Sequence, residues 1–253
     1  MRFSKKGISI LIGLCIFPLG ISAQDTAQTE RRADSLYEEH QEAPALELYE
    51  QVLAESPHHF EALWRSSFLY SRLGNRQDGE DNQKEYYTKA IDLAKRALTV
   101  DSTHTQSNFV MSVAMGRQAL ISGSREKVSA SRAIKKYADR AIKYDSTNAG
   151  AWHVLGRWHF KVANLSWLER TAANTLFGGI PDASNEKAAE YIQKAMALDE
   201  EYVLYYYDLA RVFKELGRDV NAIETCQKAI ELPVLVPGDM KIKEQCKQLI
   251  DDL

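Results

Sequence analysis

AKRALTVDST (residues 94–103) and ADRAIKYDST (138–147) are two copies of one pattern, 44 residues apart. The same pattern returns in IQKAMALDEE (192–201) and CQKAIELPVL (226–235), with 34 residues from Ile192 to Cys226. Each copy carries apolar residues at three- and four-residue spacing, which gives a helix one buried stripe. Each is preceded by a second helical pattern, as in ALWRSSFLYSRLG (62–74), AWHVLGRWHF (151–160) and YYYDLARVFKELG (205–217).

A helix pair repeated every 34 residues is the period of a tetratricopeptide repeat. A further unit fits upstream, with Leu36, Ala45, Tyr49 and a closing Pro57. Ala45, Ala90, Ala188 and Ala222 fall early in the second helices, where paired helices cross closely and a larger side chain would part them. Gly74 and Gly217 end first helices, where a left-handed residue is easiest without a Cβ. One such hairpin cannot cover its own apolar face, so neighbours stack into a superhelix. The expected fold is all-α: five hairpins over 26–232, then a capping helix in PGDMKIKEQCKQLIDDL (237–253) with Asp239 as its N-cap. All of it forms one domain over residues 24–253.

The units are unevenly spaced. The second carries extra residues around QDGEDNQKEYY (77–87), read as a longer, polar start to its second helix, and the third around SGSREKVSAS (122–131). The fourth carries the longest insert, within WHVLGRWHFKVANLSWLERTAANTLFGGIP (152–181). Ser166-Trp167-Leu168-Glu169 is a capping-box pattern. Trp167, Leu168, Ala172, Leu176 and Phe177 then recur at helical spacing, before GGIP ends the helix and Ser184 caps the next. This predicts an additional amphipathic helix, either filling local core or lining a ligand.

The first residues read differently. Arg2, Lys5 and Lys6 precede an apolar run that ends in Ile21-Ser22-Ala23, the layout of a secretory signal peptide cleaved after Ala23. The alternative, a signal anchor in the membrane, is opposed by Pro18 and Gly20 and by a run short of the roughly 20 residues a span needs. The expectation is an exported, periplasmic protein. Removing residues 1–23 takes away three positive charges and no negative one, moving the net charge from −3 to −6. An acidic chain is a poor non-specific partner for nucleic acid. Charge is uneven, with nine acids against Arg31 and Arg32 over 24–57, and seven bases against Glu126 and Asp139 over 125–143.

The segment 152–181 resembles the regulator of microtubule dynamics family, through LGRW (155–158), LSWLER (165–170) and TLFGGIP (175–181), followed by KAMALD (194–199). The likeness extends over roughly 140–253. It implies a tetratricopeptide-type domain without catalysis that acts on microtubules or at membranes. Export and a net charge of −6 set tubulin, whose surface is acidic, aside as a partner.

In such a superhelix the fifth and ninth positions of the first helices line the concave groove. The fifth positions are Trp64, Phe109, His153 and Tyr207, and the ninth are Phe68, Val113, Arg157 and Arg211, with Glu30 and Asp34 in the first unit. The lining suits an extended peptide with apolar anchors and an acidic group. It suits equally an amphiphile whose tail lies on Trp64, Phe68 and Phe109. The leading expectation is a scaffold binding a protein segment in an open groove. The alternative is a carrier or sensor of a lipid-like molecule, enclosed when a lid of Trp167, Leu168, Leu176 and Phe177 closes over the aromatics.

No catalytic or metal-binding constellation is present. His153 and His159 are six apart, off the i, i+4 spacing that shares a helix face, and His58 and His59 sit at a repeat junction. No cysteine pair has metal-ligand spacing, and no glycine-rich phosphate loop or G-x-S-x-G occurs. Neither enzyme activity nor a cofactor is expected. Cys226 and Cys246 fall at matching levels of an antiparallel hairpin, so a disulfide worth about 3 kcal/mol and a pair of buried thiols are both open.

Overall fold

The computed structural model describes residues 23–177, 179 and 182–253, without the side chains of Ala23, Ser124, Ala172, Leu176 and Phe177. The expected leader lies outside the described residues except for the backbone of Ala23. Among the described residues there are twelve helices and no strand. Five hairpins pair α1 (Ala23–Glu38) with α2 (Glu42–Glu55), α3 (Phe60–Gly74) with α4 (Glu80–Val100), and α5 (Thr105–Leu120) with α6 (Ser124–Tyr144). They continue with α7 (Ala149–Ala163) on α9 (Asn185–Leu198), and α10 (Val203–Glu215) on α11 (Asp219–Glu231). The inserted helix is α8 (Trp167–Phe177), and α12 (Gly238–Asp251) caps the end.

The motif that reveals the repeat also makes its joints. After α4, the Asp101 carboxylate accepts from the Thr103 and His104 amides (2.8 and 3.1 Å); after α6, Asp145 accepts from Thr147 N–H (2.8 Å). The Thr103 and Thr147 hydroxyls also donate to these carboxylates (2.8 and 2.6 Å), and with the amides they hold both carboxyls below the usual range. The next helices are then capped by side chains: His104 Nδ1 accepts from Gln106 N–H (3.1 Å) and Asn148 Oδ1 from Ala151 N–H (2.9 Å). Ser184 caps α9 as expected, accepting from Lys187 N–H at 3.2 Å.

Ala45, Ala90, Ala188 and Ala222 are wholly buried at the helix crossings. At Gly156 on α7 a Cβ would stand 2.6 Å from Ile192 Cγ1 and 3.1 Å from the Ala188 carbonyl, so glycine lets α7 and α9 approach closely. Two terminal residues act differently from expectation. Gly217 is left-handed (φ 66°), but Gly74 is not; it is glycine because a Cβ would meet Tyr86 Cβ at 2.7 Å and the Tyr87 ring at 2.9 Å. Asp239 lies inside the first turn of α12 rather than before it, and its carboxylate reaches back to the amides of Leu235 and Val236 (both 3.0 Å). Buried there, it satisfies the turn between α11 and α12 and not the helix's own first amides.

Two apolar clusters result. One runs from Ala33 through Tyr49, Trp64 and Phe109 to Ala151, and the other from Phe160 through Ile192 and Phe213 to Cys246.

Candidate functional site

The superhelix encloses a concave groove with a cavity of about 630 Å³, within the range of small-ligand and peptide clefts. Five of the eight expected lining residues face it: Phe68, Phe109, Val113, His153 and Arg157. Phe68 and Phe109 form its apolar floor, with ring centroids 5.4 Å apart. Gly150 makes room for the floor, since a Cβ there would stand 2.5 Å from Phe109 Cζ.

The other three sit elsewhere. Trp64 is buried in the α1–α3 corner, edge-on to Tyr37 (6.2 Å), with its indole N–H bonded to Glu61 (2.9 Å). Arg211 and Tyr207 pack on each other behind the groove, the guanidinium 5.7 Å from the Tyr207 ring and 5.1 Å from Phe160. Equivalent repeat positions do not converge on one point, because each hairpin is rotated relative to its neighbour. Glu30 and Asp34 are committed to His59 (3.3 Å) and Arg65 (2.5 Å).

The groove carries more positive charge than the fifth and ninth positions revealed. Arg72, Arg117 and Lys161 line it, each one helical turn beyond Phe68, Val113 and Arg157, so the same i, i+4 row extended by one step would have found them. Lys127 and Arg132 reach in from α6, whose first turns hold the extra residues of the third unit, for which the spacing gave no structure.

These cations differ in how they are neutralised. Arg72 is paired, its Nε 2.5 Å from buried Glu42, which also holds Arg76. Arg157 (3.2 Å), Arg211 (3.6 Å) and the His153 Nε2–H (2.9 Å) all converge on the buried Asp208 carboxylate. Burial works against charge on Asp208, yet Arg157, His153 and Arg211 together hold its pKa well below the usual range. Burial, opposed by Asp208 and aided by Arg157 and Arg117, keeps His153 low and neutral. One carboxylate thus answers two guanidiniums.

Arg117 has less. Its Nη1 donates to the neutral Asn75 side chain (2.7 Å), and among the described residues no carboxylate lies within ion-pair distance. Burial, and then repulsion from Arg157, lower its pKa to about 10. Lys161 is lowered too, by burial and by Arg211 and Arg157.

The groove is bounded on two sides. Across it, the guanidinium of Arg72 on α3 lies 5.8 Å from the ring of Tyr202, just before α10. On another side α8 packs against α6 and contributes Glu169 and Ala173 to the lining. The capping box that starts α8 forms as read: Ser166 N–H and Oγ–H donate to Glu169 (2.9 and 2.8 Å), and Glu169 N–H donates back to Ser166 Oγ (3.3 Å). Glu169 and Ala173, four apart, take the inner face. Trp167 and Leu168 therefore point to solvent, 74% and 69% exposed, and neither fills core nor covers the groove aromatics. The lid side chains expected of Leu176 and Phe177 lie outside the described residues.

His159 is buried apart from His153, edge-on to Trp158 and Tyr191, and no cluster of three or more metal-ligating side chains occurs among the described residues. No helix among them is long and apolar enough to cross a membrane. Cys226 and Cys246 are free, fully buried thiols.

Stacked helical hairpins around a concave groove define a tetratricopeptide-repeat protein. A thermophilic tetratricopeptide protein of Thermus thermophilus shares the fold at TM-score 0.63 and 18% identity, covering 89% of this chain and 98% of that one. One from Parabacteroides merdae does so at TM-score 0.55 and 16% identity, covering 89% and 70%.

Within that class, the chain belongs to the regulator of microtubule dynamics family. The family profile for regulator of microtubule dynamics proteins 1–3 matches residues 30–253. Regulator of microtubule dynamics protein 2 of Mus musculus is 27% identical over 194 residues, which are 76% of this chain and 47% of that protein. Protein 1 of Caenorhabditis elegans is 26% identical over 223 residues, 86% of this chain and 96% of that protein. The chain thus spans about half the length of the first of these relatives. Repeat folds of this kind are typically protein-interaction scaffolds without catalysis.

Proposed function

We propose that this protein is a non-enzymatic scaffold whose concave groove binds an acidic, apolar-anchored chain end of a protein partner. The observation that carries the reading is Arg117, a half-buried guanidinium beside Arg157 and Lys161 with only a neutral amide for company. A buried charge without a counter-charge is costly, and an incoming carboxylate would relieve it through charge-assisted hydrogen bonds. The Phe68–Phe109 floor supplies the apolar anchor site. The Arg72–Tyr202 contact spans the groove, which favours a chain terminus over a segment threaded through.

The same contact, with α8 as a wall, supports a second reading: an anionic amphiphile, its tail on the phenylalanines and its head at Arg117 and Arg157. Native mass spectrometry of the gently purified protein, followed by solvent extraction, separates the two. A stoichiometric amphiphile in the extract selects the second reading. An apo mass, with short apolar peptides ending in acidic residues bound in a fluorescence-anisotropy assay, supports the first. Arg117→Met with Arg157→Met then weakens that binding at least about tenfold. Affinity unchanged in the double variant removes the groove assignment.

A further inference from the structure

The two cysteines stand apart from the groove. Cys226 lies on α11, five residues before that helix ends at Glu231, and Cys246 lies on α12, eight residues after it begins at Gly238. In an antiparallel pair those levels nearly coincide. Both side chains are wholly buried in one apolar cluster, on two helices that pack against each other. Two thiols that face each other inside a core have no apolar advantage over a Leu or Val pair; what sets them apart is that they can be joined.

The helix they would fasten is the end cap. α12 packs on α11 and α10, covering their apolar face at the end of the superhelix. Its remaining polar ties are at the near end, where Lys243 Nζ donates to the Ile230 (2.9 Å) and Leu232 carbonyls, and Asp239 holds the connecting turn. The far half, beyond Cys246, is held by Leu249 and Ile250 packing.

We propose that Cys226 and Cys246 are a disulfide site that staples the cap helix α12 onto α11. The oxidant is a small or protein disulfide, RSSR. The Cys226 thiolate attacks one of its sulfurs, forming a mixed disulfide and releasing RS⁻. The Cys246 thiolate then attacks the Cys226 sulfur and releases the second RS⁻. Two protons leave the protein thiols, two electrons pass to RSSR, and the products are one intramolecular disulfide and two RSH. Neither sulfur is exposed, so the reaction proceeds through transient lifting of α12, and its rate reports that opening.

The test uses the full chain, purified reduced and then incubated with oxidised glutathione in native buffer. Peptide mapping under non-reducing conditions is expected to recover residue 226 linked to residue 246. The apparent Tm should rise by about 5–10 °C and fall back on adding dithiothreitol. Cys246→Ala should show neither the link nor the reductant-sensitive shift. Peptides recovered unlinked or only as glutathione adducts overturn the site. A linked chain with unchanged or lower Tm overturns the staple.

Discussion

Arg65 and Arg117 are each half-buried on a first helix, and the protein treats them in opposite ways. Arg65 has Tyr37 and Trp64 at 5.1 Å and Tyr49 at 5.9 Å, with Asp34 at 2.5 Å and the Tyr49 hydroxyl at 2.8 Å. Burial opposes its charge, but Tyr49, Asp34 and Glu61 outweigh it and raise its pKa. Arg117 meets the same burial with a second arginine where Arg65 has a carboxylate, and its pKa falls. The first corner is balanced in charge, with Asp34 and Glu61 facing the guanidinium, although Arg65 Nε makes no hydrogen bond there. The second is short of a negative charge. The two half-buried cations thus differ in whether the fold also supplies an anion.

The largest effect is expected where one carboxylate serves several bases. Asp208→Ala leaves His153, Arg157 and Arg211 without their buried counter-charge and should destabilise by about 3–5 kcal/mol in urea unfolding. A loss below about 1 kcal/mol would mean the cluster is more hydrated than its burial implies.

Gly150→Ala comes next. It pushes the Phe109 ring out of place and into the groove, costing about 1–3 kcal/mol and narrowing the cavity. Stability matching wild type in thermal unfolding would show that the floor can shift freely.

The pH response sharpens the account of the same cluster. Burial keeps folded His153 and His159 below the ordinary histidine value of 6.5, so the unfolded chain binds protons that the folded one refuses. Stability is therefore full above pH 6.5 and falls as pH drops through it, until the folded histidines are protonated in turn. His153→Gln should make that fall shallower, measured as urea unfolding across the pH range. Asp208, depressed by its bases, adds stability present above the unfolded carboxyl value of 3.8 and lost as pH falls toward the folded one. A flat profile from pH 8 to 5 would contradict the neutral, buried histidines. The smallest effect belongs to Trp167→Ala, within about 0.5 kcal/mol, because that ring faces solvent.

The repeat architecture was legible because close helix crossings and stacked stripes leave a periodic record, as Ala90 and Ala188 show. The capping box at Ser166 and Glu169 was legible because it is a local, short-range device. The groove was half legible. Position numbering found Phe68, Phe109 and Arg157, but it misplaced Trp64, since burial in the α1–α3 corner depends on Tyr37 arriving from another hairpin. It stopped one turn short of Arg72, Arg117 and Lys161, although the same row carries them. The Arg72–Tyr202 approach depends on the accumulated twist of several repeats, and no local pattern encodes it. Gly74 was read as a turn residue when it serves packing, because sequence alone does not say which neighbour a missing Cβ accommodates.

The most direct test of the contrast between the two arginines is urea unfolding of Arg65→Met and Arg117→Met beside the wild-type protein. Arg65→Met should lose about 1–3 kcal/mol, since it leaves Asp34 with the Tyr49 hydroxyl alone and empties an aromatic cage, whereas Arg117→Met should match wild type or exceed it by up to about 1 kcal/mol. A comparable loss in both variants would show that Arg117 is satisfied within the fold, and that the groove is not waiting for an anion.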